Sequence, residues 1–503
     1  MASLRSCSTS LLFAPLLAAT ALAGCGDEAD PAELSGEPEL ILHENQPMIV
    51  DVIAEFDAPV DALELAEDAD PGVRVEVLAV EDDGRRYHFR ARGLAPDSAH
   101  SLSLRWPDGE TSLDFETGAA LPGFIPSFTV EQAAGAEIDP AFRIFDYSVG
   151  PDWSPNGLTV VDTEGVTRWY FGSDPIIPGP TAVWAGIELL SDGTLLTARD
   201  GAVIILDELG EVQRRHDSYS YGLSAFHHEA TLLDNGNILT LSNSFETVDY
   251  STMGWGELLV AADLLVEIDP AGDIVWTWDA FDHIDPLRVT EIPGAGLPYV
   301  DTTTGDTGYD WTHGNGMMQI EGDLILLSMR HQDWIVAIDH QSGEIVWRLG
   351  PEGDFELLAG TWFYHQHSPQ LQADGSLLLY DNAVGNPELG VDQLSSRAVR
   401  YALDLEAMTA TQVWDDRDSV DTFVSTIAGD ADRMPTGRIM VTDSAMHEEP
   451  GVFEPAINWS RIRELDEDAG GEALWTLRTE PGSFVYRATT TDMLPGEGQG
   501  ALE

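Results

Sequence analysis

The chain contains no lysine, and all 24 of its basic residues are arginines. A Walker-type phosphate loop, a Schiff-base enzyme and a lysine general base each need an ε-amine, so those mechanisms are excluded. Cysteine is almost absent: Cys7 and Cys25 are the only two in 503 residues, too few for a disulfide framework. Positive charge is scarce as well, because 88 Asp and Glu outweigh the arginines and leave a formal net charge of −64. Nucleic-acid phosphates and anionic lipid headgroups must be met by cations, so neither is an expected partner. A surface this acidic keeps a protein soluble and also suits a salty or calcium-rich habitat; charge alone does not choose between them.

What is present begins with an export signal. Arg5 precedes an apolar stretch from Leu11 to Leu22 that is too short to span a bilayer, and small residues follow. The junction Leu22-Ala23-Gly24-Cys25 resembles a bacterial lipobox. That resemblance implies a lipoprotein signal peptide over 1–24, a lipid on Cys25 and a mature protein anchored in the bacterial envelope, on the periplasmic face or the cell surface. Gly26, where an acidic residue would signal inner-membrane retention, favours the outer membrane. Residues 25–39, rich in Pro, Asp and Glu, read as a flexible acidic tether. From 40 to 118 the segments MIVDVIAEF, VRVEVLAV, YHFRARGL, HSLSLRW and TSLDFETG alternate in polarity and are separated by turns such as Asp82-Asp83-Gly84. Period two with short turns predicts a small β-sandwich, similar in pattern to an Ig or fibronectin III module.

From 119 to 503 two phrases recur. One is a strand, a tight Asp or Gly turn and a second strand: VVDTEGVTRWYFG, IILDELGEVQRRH, EIDPAGDIVWTWD, AIDHQSGEIVWRLG, ALDLEAMTATQVWDD and RELDEDAGGEALWTLR. Five of the six copies carry a tryptophan in the second strand, at Trp169, Trp276, Trp347, Trp414 and Trp475. A hairpin cannot bury both faces by itself, whereas sheets packed around an axis can, so six copies predict a six-bladed β-propeller with the tryptophans between blades. The second phrase precedes the first, as in TLLDNGNILTLS and QLQADGSLLLYD. Counting eight residues back from its turn glycines Gly236 and Gly375 reaches His228 and His367, and nine back from Gly322 reaches His313. Equivalent repeat positions form a ring about a propeller axis, so these three histidines are expected to converge at the mouth of the central channel.

Near them in sequence stand Asp310, Trp311, Asn315, Arg330 and Asn382, with His365 two residues before His367 and expected on the same strand face. By the same alternation His227 points away from His228. Three imidazoles can bind zinc with an open fourth position. Arg330 opposes a cation there and suits an oxyanion, which a guanidinium meets with paired planar donors. A metal-dependent hydrolase and a non-catalytic binding lipoprotein both remain open on the residues alone.

The segments DWTHGNGM, LSMRHQDWIVAIDHQSGEIVWRLG, YHQHSPQLQADGSLLLYDN, SSRAVRYALD and FVYRA resemble the bacterial arylsulfotransferases that use no nucleotide sulfate donor. The likeness covers roughly the C-terminal three quarters of the chain. It implies a six-bladed propeller and a ping-pong transfer of a sulfuryl group from an aryl sulfate to a phenolic acceptor, with no cofactor and no metal. It also implies that His367, in HQHSP, is the nucleophile, and that His228, His313 and Arg330 support it. On that reading Arg330 and His313 neutralise the sulfuryl oxygens and His228 protonates the departing phenolate. Trp311, Asn315, His365 and Asn382 are expected to contact substrate. Some relatives carry a disulfide near the catalytic region; here no cysteine is available, so the loop from Gly350 to Tyr364 has to be held by packing. A homo-oligomer is compatible with the sequence.

Overall fold

A computed structural model describes residues 31–119, 127–150, 155–172, 184–199, 201–290, 299–301, 304–389, 394–417, 423–449, 452–468 and 470–498. The expected export signal and Cys25 lie outside them. The described residues are all-β, with short 3-10 turns and no α-helix, and no helix among them is long and apolar enough to cross a membrane.

Two sheets stand at the N-terminal end. Glu39–Leu42, Ile49–Glu55, Arg86–Arg92 and Arg74–Glu81 form one, and Glu64–Ala66, Ala99–Trp106 and Gly109–Glu116 the other. Their alternating apolar residues, among them Val50, Val52, Phe89, Leu102 and Leu104, meet in one core. Residues 31–38 of the acidic stretch are docked on these sheets: Ala32 is buried, its N–H donates to Asp108, and Trp106 Nε1 donates to its carbonyl. The sandwich is joined to the larger part by polar and apolar contacts. Arg90 and Arg92 reach Glu208, Arg168 reaches Asp70, and Ile49 enters a cluster with Phe142, Trp169 and Trp184.

The larger part holds six sheets in sequence, each with four antiparallel core strands. The innermost strands Trp184–Leu189, His227–Leu232, Gly314–Ile320, His367–Leu371 and Asp430–Arg433 contact in succession, and the ring closes where Ile439–Met446 meets Ala488–Thr491 and Phe142–Val149 meets Trp184–Leu189, which is the arrangement of a β-propeller. Ring closure uses both ends of the unit. The C-terminal strand Ala488–Thr491 takes the innermost place beside Phe142–Val149 in the first blade, and Phe128–Gln132 covers the outer edge of the sixth against Ala473–Thr479. Middle strands such as Leu195–Arg199, Ser376–Asp381 and Ile439–Met446 are buried at every position, because a neighbouring blade covers each face. Outer strands such as Ile274–Asp279 alternate instead. Indoles tie blades together: Trp169 Nε1 donates to Glu208 O, Trp278 Nε1 to Gly343 O and Trp475 Nε1 to Thr163 O, each on the following blade. Of the tryptophans expected between blades, Trp276 does so by ring contact, its plane lying edge-on 4.8 Å from His340.

Candidate active site

The site lies where the innermost strands begin. Pairing slips in register at this end of several blades, between His227 and Ala230, between Gly314 and Gly316, and between His367 and Gln370. Such bulges re-aim side chains toward the axis. Backbone conformation helps, because His228, His313, His365 and Ser368 adopt left-handed φ values of 58°, 52°, 56° and 49°. Non-glycine residues seldom take that conformation, and hydrogen bonds beside His313 and His365 hold those two in it. Asp263 accepts from Gly314 N at 2.7 Å, Asp333 from His365 N at 2.8 Å, and Asp381 from Tyr364 N at 3.0 Å and Ala383 N at 2.8 Å.

Six imidazoles converge. The His228 ring is 4.8 Å from that of His313 and 4.9 Å from that of His227. His313 is 4.7 Å from His331, which is 5.7 Å from His365. Tyr486 bridges to the nucleophile candidate, its ring 5.9 Å from His228 and 6.0 Å from His367. Tyr299 closes another side, 5.3 Å from His227 and 6.1 Å from His313. Asp310 Oδ2 accepts from His313 Nδ1 at 2.5 Å, and the Asp310 carbonyl lies 3.0 Å from His331 Nδ1. Arg330 opens the turn after Leu324–Met329 and donates from Nη2 to Thr426 O at 3.1 Å. Arg487 is ion-paired to Glu229 and donates to Asn315 O at 2.9 Å.

Burial decides the charge states. It holds His367 and His228 well below the ordinary imidazole range; Arg330, His313 and Arg487 push His367 further down, and His313, His227 and His367 do so for His228. His227 and His331 are pushed down to about 3, chiefly by burial. The ring is therefore largely neutral imidazole next to permanent guanidinium charge. That combination offers nucleophilic nitrogen together with an anion-binding field.

The structure thus brings His228, His313, Arg330 and His367 together. Asn382 is also present, with Oδ1 2.6 Å from His367 Nδ1. Asn315 acts through the backbone, its Nδ2 donating to Gln366 O at 2.8 Å. Trp311 is elsewhere. It is fully buried, stacked on Phe281 and hydrogen-bonded to Arg288 O, so the strand turns its large apolar ring into the core and leaves His313 at the site. His365 does not share a strand face with His367, because the strand begins only at His367; its ring faces His331 and Asp333 instead. His227 does not point away from His228, since the bulge folds the pair together with Nδ1 atoms 2.8 Å apart. Asp310, noted beside the histidines in sequence, receives no role there, and the residues missed as members are His227, His331, Tyr299, Tyr486 and Arg487. One signal for the last was available: Arg487 stands nine residues before Gly496, as His313 stands nine before Gly322.

The loop from Gly350 to Tyr364 is held without a disulfide. Arg397 donates to Thr361 O and Trp362 O, Tyr401 Oη donates to Thr361 O at 2.6 Å, and Glu356–Ala359 pairs in parallel with the outer strand Thr409–Asp415.

Asp310, His313 and His331 offer ligand atoms within 4.8 Å of one another. Both imidazoles turn Nδ1 toward Asp310 in hydrogen-bonding positions, and Arg330 lies next to His331, so the group is arranged as a proton-holding cluster more than as a cation cage. Past Arg487, the other end of the channel opens into a cavity of about 930 Å³ lined by Glu188, Asp234, Glu321, Asp323, Asp430 and Asp432. Anions are not welcome there.

Residues 147–487, which include every member of this cluster, match the arylsulfotransferase (ASST) family. The arylsulfate sulfotransferase AssT of Escherichia coli O6:H1 is 25% identical over 316 residues, covering 51% of this chain and 52% of that one. Its namesake from Lelliottia amnigena is 24% identical over 315 residues with the same coverage. The chain thus spans about half the length of the curated relatives it matches. Among solved structures, a protein of unknown function from Bacteroides caccae is similar at 10% identity and a TM-score of 0.44, over 70% of this chain and 100% of that one. With the family match running from Tyr147 on the first blade to Arg487 beside the histidine cluster, this chain belongs to the arylsulfotransferase family.

Proposed function

We propose that the protein transfers a sulfuryl group from an aryl sulfate ester to a phenolic acceptor, in two steps through His367. The observation that carries this reading is a buried neutral His367 in the electrostatic field of Arg330, His313 and Arg487. A nucleophile must be unprotonated, and the sulfuryl oxygens need cationic donors as the group passes between its two partners. In the first step an imidazole nitrogen bonds to sulfur while the sulfur–oxygen bond to the aryl group breaks, its electron pair leaving on the phenolate. The acceptor phenol then loses its proton and takes the group from the ring.

We assign the supporting roles in the reverse of the order expected from the resemblance. His228 is kept neutral by burial and by its histidine neighbours, which suits it to orient the oxygens. His313, with Asp310 Oδ2 at 2.5 Å, is placed to give a proton to the leaving phenolate and recover one from the acceptor. Tyr299 and Tyr486 flank the cluster and suit a planar aromatic ring.

Mass spectrometry after mixing the protein with excess aryl sulfate and no acceptor should find a sulfuryl group on the peptide containing His367. His367→Ala should remove that label and lower turnover by roughly 10⁴-fold or more. An unlabelled wild-type peptide together with no release of phenol would leave the binding-propeller reading in its place. Export, lipidation at Cys25 and outer-membrane residence belong to the same proposal; membrane fractionation of wild type and Cys25→Ser tests them, with the variant expected in the soluble fraction.

A further inference from the structure

We propose that Asn382 is a positioning residue that holds His367 with its proton on Nδ1, so that the sulfuryl group is taken and carried on Nε2. The inference rests on transfer through His367 and adds which nitrogen reacts and what fixes it. Asn382 is fully buried at the end of Ser376–Asp381. Its Nδ2 lies 2.9 Å from Ser425 O and 2.8 Å from Ala428 O. Backbone carbonyls only accept, so the amide nitrogen has to face them. Flipping the side chain would set Oδ1 against two carbonyl oxygens with no proton between them. Oδ1 therefore faces His367 Nδ1, at 2.6 Å, and it too has no proton to give. Nδ1 must carry the hydrogen. A neutral imidazole has one N–H, which leaves the Nε2 lone pair free.

The same bond does more as the reaction proceeds. When the Nε2 lone pair forms the bond to sulfur and the aryl oxygen departs with the electrons of the broken bond, the ring becomes an imidazolium that still carries Nδ1–H. The contact to Asn382 Oδ1 is then charge-assisted and stronger than before attack, so it favours the transition state over the resting enzyme. In the return step the electron pair of the nitrogen–sulfur bond goes back to Nε2 as the deprotonated acceptor oxygen bonds to sulfur. The ring ends as it began. An aspartate in this place would instead favour the protonated ring and consume the lone pair.

Nitrogen-15 NMR of histidine-labelled, substrate-free protein, with His367→Gln for assignment, reads the tautomer directly. Wild type should show protonated Nδ1 and pyridine-like Nε2 at His367. An Nε2–H ring in wild type overturns the inference even if His367 is sulfated on mixing with donor; the expected tautomer with no sulfation upholds the hold of Asn382 on the ring and overturns its catalytic use together with the transfer reading. Asn382→Leu should lower kcat about 100-fold at nearly unchanged KM, the scale seen when a partner behind a working histidine is lost. Asn382→Asp keeps an acceptor at Nδ1, so it should keep the Nδ1–H signature and move the acid limb of donor kcat/KM to higher pH. The charged and titratable groups facing His367, namely Arg330, His313, Arg487, His228 and Tyr486, are unchanged in both variants. Equal loss in the two variants with no shift of the limb would show a structural role only.

Discussion

His228, His313 and His365 each hold a left-handed backbone that costs a non-glycine residue roughly 1–3 kcal/mol. That conformation is why the residue scale was only partly legible in sequence. Counting back from Gly236, Gly322 and Gly375 finds His228, His313 and His367, yet strand alternation then fails at the same residues, sending His227 the wrong way and aligning His365 with a strand it does not enter. A periodic rule cannot see a bulge that only the finished ring stabilises. The charge of Arg330 acts on His367 across this irregular backbone, and after burial it is the largest cause of the depressed imidazole. Arg330→Gln removes a positive neighbour, so protonating His367 becomes easier and its folded-state value rises toward the ordinary one. The acid limb of donor kcat/KM should move to higher pH, alongside a loss of about 10²–10³-fold in kcat from the missing oxyanion donor. A limb that stays in place or moves down would show that Arg330 does not face the nucleophile.

Strand ends carry the next level of organisation. Asp146 accepts from Tyr486 N at 2.8 Å and Arg487 N at 3.1 Å, as Asp263 and Asp381 do for the segments bearing His313 and the Asn382 turn. Burial pushes Asp146 up to about 8, so the fold keeps a proton that the unfolded chain gives up near its ordinary value of 3.8. The folded state then binds more protons across that interval, and its stability declines as pH rises from the lower value through the higher. Asp146→Asn mimics the protonated acid and should flatten this decline. Thermal melts between about pH 5 and pH 9 check it; parallel curves for the two proteins would refute the assignment. Arg397 serves the loop that lacks a disulfide, joining Asp381, Asp415 and Thr361 while fully buried. Arg397→Met removes the cation shared by Asp381 and Asp415 and should cost about 3–5 kcal/mol in urea unfolding. The need for packing here followed from the absence of cysteine, but its agent did not. Arg397 meets partners on three separate segments, a pattern no local reading collects.

At the scale of the molecule, the repeat made the propeller legible because each blade restates the same strand and turn grammar. Its closure was not, since Ala488–Thr491 and Phe128–Gln132 find their sheets only after the chain has gone round. Charge is the other global property, and it sets an opposition. The formal net charge is −64, whereas the proposed donor is an anion that must reach Arg330 and Arg487 at the histidine cluster. The acidic far end of the channel, with Asp234, Glu321 and Asp323, leaves the histidine side as the favourable approach. Long-range repulsion slows that approach, and salt screens it, with a Debye length near 10 Å at about 0.1 M. Short-range attraction by the two arginines acts inside the site, within that length, and is screened far less. In the proposed two-step transfer the half-reactions report separately, because donor kcat/KM contains the encounter with the anion and acceptor kcat/KM that with a neutral phenol. Raising salt from about 0.02 M to about 0.2 M should therefore increase donor kcat/KM severalfold and leave acceptor kcat/KM almost flat. A fall in the donor value would mean that the arginine field reaches beyond the mouth and dominates the approach. Equal changes in both would trace the effect to the fold, not to the encounter.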